Sequence, residues 1–214
     1  NEIWKGLRQG SIEEIKKRQK MLPQLRYCQI PKFSIARQRN LGVKKTRSSR
    51  VLFLDADTVL IDPQTLEKYL REAESKKAKL AVAENYPLSD HWKDKAYFQA
   101  ANLGTRVGKF VMPVALGINL YCLRSVFVFF GGFDDLIRVG EDTEMVERFA
   151  KKGVLYEILE IPKIYTSVRR LRKEGRIRFV FMMIGSFIND HVFGYHRNVI
   201  SEEYEFGKHP HSDS

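Results

Sequence analysis

Short apolar runs alternate with amphipathic stretches along the chain. Residues 51–54 are an uninterrupted apolar run, a pattern typical of a central strand that is buried on both faces of a sheet, and the apolar run at 80–83 predicts another strand. Between these runs, apolar residues recur at the spacing of one helix face: Leu66, Tyr69, Leu70 and Ala73. Strands that alternate with helices favour an α/β fold with a mostly parallel central sheet flanked by helices.

Local signals place the other elements. Ser34 is a suitable N-cap for a helix over residues 34–42, and Asp62 with Pro63 predicts a second helix start. The remaining pattern predicts helices at 11–21, 96–103 and 143–152, strands at 25–30, 117–123 and 154–158, and a flexible stretch at 104–108. Residues 1–5 run into the first helical pattern without a strand, so we expect an N-terminal part of the fold to be missing.

The charge of the chain indicates anionic partners. Lys and Arg number 37 against 26 Asp and Glu, which gives a formal net charge of +11 and suits phosphates, nucleic acid or an acidic membrane surface. We expect no nucleic-acid partner, because no basic and aromatic recognition motif accompanies the charge. Cys28 and Cys122 form no zinc or disulfide pattern, which favours a reducing, cytoplasmic location.

The C-terminal segment, residues 166–214, is basic and aromatic. Six Lys or Arg residues fall within 169–178, and an apolar run follows at 179–188. This run is shorter than the roughly 20 residues that a spanning helix needs, so we expect no transmembrane helix. We expect the segment to pack on the preceding domain, residues 1–165, or to associate peripherally with the cytoplasmic face of a membrane.

Two aspartates follow the buried strand at 51–54. Asp55 and Asp57 share a site if the chain turns there, and carboxylate oxygens are the ligands that Mg²⁺ and Mn²⁺ prefer beside substrate phosphates. The alternative is that both acids only cap a turn. Their place at a strand end, where α/β proteins bind ligands, favours metal binding. His191 is a candidate third ligand, although a histidine among aromatic residues is more often structural.

A second acidic cluster lies before and inside the first turn of a predicted helix, at residues 134–135 and 141–144. A carboxylate held rigidly there can remove a proton from an acceptor hydroxyl. Acids at a helix start also stabilise the helix dipole without any further role. Arg37, Arg39 and Asn40 lie on the helix directly before the Asp55 strand, where they suit contacts with phosphate. The bases at 169–178 also suit phosphate, although a solvated basic face or a surface for anionic lipid headgroups is the more common role of such a group.

The order of these motifs resembles the inverting family 2 of GT-A glycosyltransferases. Residues 34–42, Ser-Ile-Ala-Arg-Gln-Arg-Asn-Leu-Gly, look like the family's Arg-Asn-x-Gly helix. Residues 51–58 look like its strand ending in Asp-x-Asp, and Gly-Gly-Phe-Asp at 131–134 and Glu-Asp at 141–142 follow in the family's order. Each motif is weak alone, but four in this order are a specific signal.

The resemblance implies a Rossmann-like GT-A fold of nucleotide-diphospho-sugar transferases, with residues 1–165 as its catalytic domain. The implied reaction moves a sugar, with inversion, from a nucleotide-diphosphate donor to a hydroxyl of a lipid-linked or glycan acceptor. It implies a divalent metal, Mn²⁺ or Mg²⁺, at Asp57, with Asp55 assisting at the metal or at the ribose, Asp142 as general base and Glu141 in support. The implied nucleotide-sugar-binding residues are Arg37, Asn40, Asp55, Asp57 and Gly117.

One departure from the family pattern leaves an alternative open. The family opens with two strands that end in Pro-x-x-Asn-Glu and Asp-Asp-Gly-Ser and build the pocket for the nucleotide base. Here only the tails Asn1-Glu2 and Gly10-Ser11 match, so we expect both strands to be absent. The alternative hypothesis is therefore a catalytically inactive GT-A-like module that serves binding or interaction.

Overall fold

The computed structural model describes residues 34–195, apart from 111 and 116, and the backbone of two strands nearer the N-terminus. The strands are β1 (Ile3–Gly6), β2 (Leu25–Cys28), β3 (Arg50–Leu54), β4 (Thr58–Val59), β5 (Leu80–Pro87), β6 (Asn119–Leu123) and β7 (Tyr156–Thr166). The helices are α1 (Ile35–Lys45), α2 (Thr65–Ser75), α3 (Trp92–Gly108), α4 (Arg124–Phe129), α5 (Glu141–Lys151), α6 (Arg169–Lys173) and α7 (Arg176–Phe193).

The central sheet has five strands in the order β3-β6-β5-β7-β4, and β1 pairs with β2 in a separate parallel ribbon. The α/β class with flanking helices is confirmed, but the sheet is mixed rather than mostly parallel. β3, β5 and β7 run in one direction, whereas β6 and β4 run in the other. The apolar pattern of a buried strand does not report its direction, which is why the insertion of β6 between β3 and β5 was not predicted.

Both faces of the central sheet are covered by hydrophobic clusters. Along β5, Leu80 and Val82 face a cluster with Phe53, Met145 and Phe149. Ala81 and Ala83 face the opposite cluster, which contains Tyr69 and Leu159. Since side chains alternate between the two faces of a strand, burial on both sides requires every position to be apolar. The strand predicted at 80–83 is confirmed. The run at 51–54 was expected to be a central strand buried on both faces, but β3 lies at the edge of the sheet and its last residue, Leu54, is 40% exposed.

The helix starts were predicted with mixed success. The Ser34 side chain caps α1 by accepting a hydrogen bond from Arg37 N (3.3 Å), and the helix continues beyond Gly42 to Lys45. The start predicted at Pro63 is wrong, because α2 begins at Thr65. Asp62 first closes a turn, in which its carbonyl accepts from Thr65 N (2.9 Å) and its Oδ1 accepts from Gln64 N (2.8 Å).

Two further predictions about helices and strands are wrong, and a third concerns residues that the structure does not describe. The stretch at 104–108, predicted to be flexible, belongs to α3, whose 17 residues continue through it. No strand was expected near the N-terminus, yet Ile3–Gly6 forms β1; a run of four residues is too short to show a clear alternation of polar and apolar side chains. The helix predicted at 11–21 lies outside the described residues.

The segment after β7 is tied to α3 by a buried acid. Asp94 is fully buried and accepts hydrogen bonds from Arg176 Nε (2.7 Å) and Arg172 Nη2 (3.4 Å). The hydrogen bond from Arg176 in particular lowers the pKa of Asp94 to about 2. Leu171 of α6 packs beside Phe98 of α3. Across the described residues, no helix combines the length and the apolar character needed to cross a membrane.

Candidate active site

The two aspartates after β3 lie where this strand meets the start of β6. Leu54 pairs with Asn119, and Asp55 N continues the ladder by donating to the carbonyl of Ile118 (3.1 Å). The chain then turns, because Thr58 N donates to the carbonyl of Asp55 at 3.1 Å. This turn keeps the charges of Asp55 and Asp57 close enough to interact.

Asp55 and Asp57 have different surroundings. Burial raises the pKa of Asp55; the charge of Arg39 acts against this shift, and the charge of Asp57 adds to it. Asp57 is exposed, and its carboxylate makes no hydrogen bond or ion pair with any residue that the structure describes. A carboxylate without a protein partner, next to a second carboxylate, suits a hard divalent cation.

Arg39 of α1 joins the separate parts of the acidic site. Its Nη2 donates to Asp55 Oδ1 (3.0 Å) and to the carbonyl of Gly117 (3.2 Å), while its Nη1 donates to Glu141 Oε1 (3.0 Å). The guanidinium also lies 5.3 Å from the centre of the Phe133 ring. One partly buried cation therefore fixes the ends of β3, β6 and α5 relative to each other.

Glu141 and Asp142 occupy the first turn of α5 and are both buried. The start of the helix is fixed to the segment before β6 by Thr143, whose Oγ1 donates to the carbonyl of Ala115 (2.9 Å). Asp142 touches Gly117: a Cβ added to Gly117 would lie 2.5 Å from Asp142 Oδ2. The absence of a side chain at residue 117 makes room for the Asp142 carboxylate.

The two neighbouring carboxyl groups of α5 have raised pKa values. Burial, followed by the charge of Asp142, raises the pKa of Glu141 to about 7. Burial also raises the pKa of Asp142, and the charge of Arg39 opposes the shift. Perturbed carboxyl groups clustered in this way are typical of sites that exchange protons with a substrate, although structural clusters show them too.

Asn40 holds the Gly-Gly-Phe-Asp loop in place. Its Nδ2 donates to the carbonyl of Phe133 (2.8 Å) and to Asp135 Oδ1 (2.8 Å), and its Oδ1 accepts from Phe133 N (3.0 Å). Arg37 is an exposed neighbour whose Nε lies 3.3 Å from Asp135 Oδ2. The contacts of both side chains within the described chain are thus made with this loop.

His191 lies on the last turn of α7. Its Nε2 is 2.6 Å from Glu147 Oε1, and its Nδ1 is 2.7 Å from the carbonyl of Phe187. Among the described residues, no group of three His, Cys, Asp or Glu side chains is arranged to hold a metal ion. The structure therefore does not bring His191 together with Asp55 and Asp57.

The geometry gathers Asp55, Asp57, Gly117, Glu141 and Asp142 at one edge of the sheet and leaves His191 apart from them. Arg39 was noted in the sequence only as a possible phosphate contact, and its central position was missed. A usable signal existed, because several acids that converge on one site need a cation among them. Arg39 is that cation, and it lies in the helix directly before the Asp55 strand.

Arg170 of α6 extends the charge pattern of this edge. Burial raises the pKa of Asp55, and the positive charge of Arg170 is among those that act against this rise, so the basic segment after β7 lies within electrostatic reach of the acidic site. The site thus has carboxylates at its centre and arginines on two sides. Such an arrangement suits a ligand that brings both a metal cation and phosphate groups.

Comparison with known protein families gives one match. A family model described as glycosyl transferase family 2 matches residues 6–132, more than half of the chain. No curated protein sequence matches. The matched range includes α1, β3 and the Asp55 turn, and ends inside the Gly-Gly-Phe-Asp loop.

Several solved structures share the fold. One is the mannosyltransferase PcManGT from Pyrobaculum calidifontis, in complex with GDP-Man and Mn²⁺. It has 16% sequence identity to this chain and a TM-score of 0.65, and the match covers 83% of this chain and 51% of the PcManGT chain. S. aureus TarS 1–349 in complex with UDP-GlcNAc has 14% identity and a TM-score of 0.61, covering 78% and 50%. This chain spans about half the length of these structural relatives.

Proposed function

The chain belongs to glycosyl transferase family 2, and from this premise we propose that it transfers a sugar from a nucleotide-diphosphate donor to an acceptor hydroxyl in a metal-dependent, inverting reaction. The observation that carries the proposal is the convergence of three acids on one edge of the sheet. Asp55 and Asp57 follow β3, and Asp142 enters from α5 in contact with Gly117.

The donor set after β3 fits a divalent cation, Mn²⁺ or Mg²⁺. Asp57 offers an exposed carboxylate, and Asp55 retains an Oδ2 for which no hydrogen bond is seen within the described chain. PcManGT, which shares the fold, has been solved with GDP-Man and Mn²⁺. A bound cation would stabilise the negative charge that develops on the departing diphosphate. Arg170 and Arg39 would add positive charge around the same group.

The proposed base is Asp142, with Glu141 in support. Asp142 is buried against Gly117, and its Oδ1 is oriented by a hydrogen bond from Thr143 N (2.9 Å). The acceptor oxygen would attack the anomeric carbon from the side opposite the diphosphate, and its proton would pass to Asp142 as the carbon–diphosphate bond breaks. A single displacement of this kind inverts the configuration of the sugar.

Arg37, Asn40 and Gly117 remain proposed contacts of the nucleotide sugar, and His191 a proposed third metal ligand. The contacts of Asn40 support a role in shaping the loop beside the donor rather than in direct binding. Gly117 borders both Asp142 and Arg39, a position that suits the transferred sugar. His191 would have to leave Glu147 to reach a cation at Asp57.

The acceptor and the location complete the proposal. Residues 1–165 would form the catalytic domain, and 166–214 a segment that packs on it or on a membrane. The acceptor would be a lipid-linked or glycan hydroxyl, used on the cytoplasmic side of a membrane with which the protein associates peripherally. Basic residues of α6 and of the start of α7 support this arrangement. One of them, Arg170, is close enough to the acidic site for its charge to interact with Asp55.

The test is a screen of nucleotide sugars for metal-dependent turnover. Purified protein is incubated with a panel of GDP-, UDP- and dTDP-sugars, with Mn²⁺ or with a chelator, and release of the nucleoside diphosphate is measured. We expect release from one class of donor that requires the metal. If no donor is bound or turned over under any condition, the inactive binding module replaces the transferase as the better account.

A further inference from the structure

Helix α7 presents its apolar side outward and part of its polar side to the protein. Five of its apolar side chains lie on one stripe and are between 49% and 75% exposed: Ile177, Phe181, Ile184, Ile188 and Val192. They recur at intervals of three and four residues, which places them on one face of the helix. Its two buried residues, Ser186 and Asp190, are polar. A helix that packs only on a protein core shows the opposite arrangement.

Contacts at both ends fix this orientation. At the start of α7, Arg176 donates to the buried Asp94 (2.7 Å), and the ring of Phe179 packs on Tyr97 with centroids 6.1 Å apart. At the other end, Asp190 Oδ2 would lie 3.1 Å from a Cβ on Gly140, directly before α5. The outward stripe is therefore a consequence of specific inward contacts.

The surroundings of the stripe are strongly basic. Six Lys or Arg residues occur between 169 and 178, and between 169 and 193 the acids are only Glu174 and the buried Asp190. The exposed bases are Arg169, Arg170, Arg172, Lys173 and Arg178. An exposed apolar stripe next to clustered bases is the pattern of a helix that lies in the interface of an anionic bilayer.

We propose that the α7 stripe and the bases at 169–178 form a docking surface for an anionic lipid bilayer, with α7 lying along the membrane plane. The helix has 18 residues, about 27 Å at 1.5 Å per residue, and inserts its apolar face to the depth of the acyl boundary. This proposal rests on the peripheral membrane association included in the proposed function and names the residues that make it. Membrane binding by this surface does not require sugar transfer. Because α7 packs beside Gly140, the membrane would lie near the helix that bears Asp142.

The orientation of α7 also decides against the alternatives. A second copy of this chain, with its net charge of +11, would bring two basic surfaces together. A purely ionic contact with phosphate would leave the apolar stripe exposed to water, since the bases lie at only one end of the helix. An anionic bilayer matches both features: its charged headgroups pair with the bases at 169–178, and its apolar interior takes up the α7 stripe.

The test is co-sedimentation of the full chain with vesicles of phosphatidylcholine, with and without phosphatidylglycerol. Two double variants are compared with the wild type: Phe181→Ser with Ile188→Ser removes the stripe, and Lys173→Gln with Arg178→Gln lowers the charge. Phe129→Ser with Leu136→Ser is the matched control, because these side chains are 82% and 74% exposed elsewhere on the protein. Circular dichroism checks that each variant is folded.

We expect the wild type to bind the anionic vesicles and to bind phosphatidylcholine at least tenfold more weakly. The stripe variant and the charge variant should each lose about tenfold or more in partitioning, since every tenfold step needs about 1.4 kcal/mol, while the control binds like the wild type. Equal loss in the control, or no binding to anionic vesicles, would overturn the proposal. So would light scattering that shows a wild-type dimer converted to a monomer by the stripe variant. None of these results depends on a sugar donor, so they leave the transferase proposal untouched.

Discussion

Gly117 and Asp142 are in such close contact that any side chain at residue 117 would displace the carboxylate. A Cβ there would lie 2.5 Å from Asp142 Oδ2 and 4.0 Å from Arg39 Nη2. Gly117 also has a φ of +70°, in the left-handed region that favours glycine. The same residue thus permits the turn before β6 and the position of the proposed base.

We predict that Gly117→Ala abolishes transfer and lowers the free energy of unfolding by about 2 kcal/mol or more. Gly153→Ala is the matched control, since Gly153 has a φ of +78° but nothing within 4 Å of its added Cβ. Both variants strain the backbone, so the difference between them isolates the clash with Asp142. Steady-state transfer and urea unfolding measure the effects, and equal losses in the two variants would show that the contact has no importance of its own.

We predict that Asp142→Asn abolishes transfer yet stabilises the fold at alkaline pH. Burial raises the pKa of Asp142 in the folded chain, so ionisation costs folding free energy as the pH rises through that pKa, and below the unfolded pKa the cost is absent. The gain in the thermal midpoint should therefore be larger at about pH 8 than at a pH below 3.8, the ordinary pKa of the group. Asp90→Asn, at a fully exposed aspartate, is the control. A midpoint unchanged or lowered at both pH values would contradict this account.

Arg39 is predicted to be essential to stability. Arg39→Met leaves the buried Glu141 without its cation, and the loss of one partner of a buried pair costs about 3 kcal/mol. Adding Glu141→Gln should recover part of the loss. Arg37→Met, two residues away on the same helix, breaks an exposed pair with Asp135 and should cost less than about 1 kcal/mol. Urea unfolding measures the free energy that each substitution costs. Similar costs for Arg37→Met and Arg39→Met would show that Arg39 has no special part in stabilising the site.

Asn40 distinguishes loop support from donor binding. Asn40→Ala removes its bonds to Phe133 and Asp135 and should lower the free energy of unfolding by about 2 kcal/mol. If its role is to support the loop, the dissociation constant of the nucleotide sugar, measured calorimetrically on folded protein, changes little. A large rise in that constant with unchanged stability would instead establish Asn40 as a direct ligand.

The fold was predictable where burial imposes a pattern. Residues 80–83 form a buried strand because both faces of the sheet are covered there, and the side chain of Ser34 caps α1 as its position predicted. Residues 51–54 also form a strand, but it lies at the edge of the sheet, where Leu54 is 40% exposed. Strand direction was not predictable, since β6 is apolar whether it runs parallel or antiparallel to its neighbours. Gly104 and Gly108 suggested flexibility, but the rest of α3 holds them in a helix.

The candidate site was predictable only as a set of motifs. Asp55, Asp57 and Asp142 were singled out because the short motifs that contain them follow each other in a specific order, at the end of a strand and the start of a helix. The contact between Gly117 and Asp142 and the triple role of Arg39 each join elements far apart in sequence. No local pattern reports such a convergence, and a three-dimensional arrangement is needed to see it.

The most direct test of the central claim is calorimetric binding of the donor identified by the screen, with and without Mn²⁺, to three proteins. The wild type should bind only with Mn²⁺, and Asp57→Ala should lose this metal-dependent binding. Asp142→Asn should keep it while transferring no sugar, because its carboxylate acts on the acceptor. Binding by Asp57→Ala equal to that of the wild type, or full turnover by Asp142→Asn, would contradict the account.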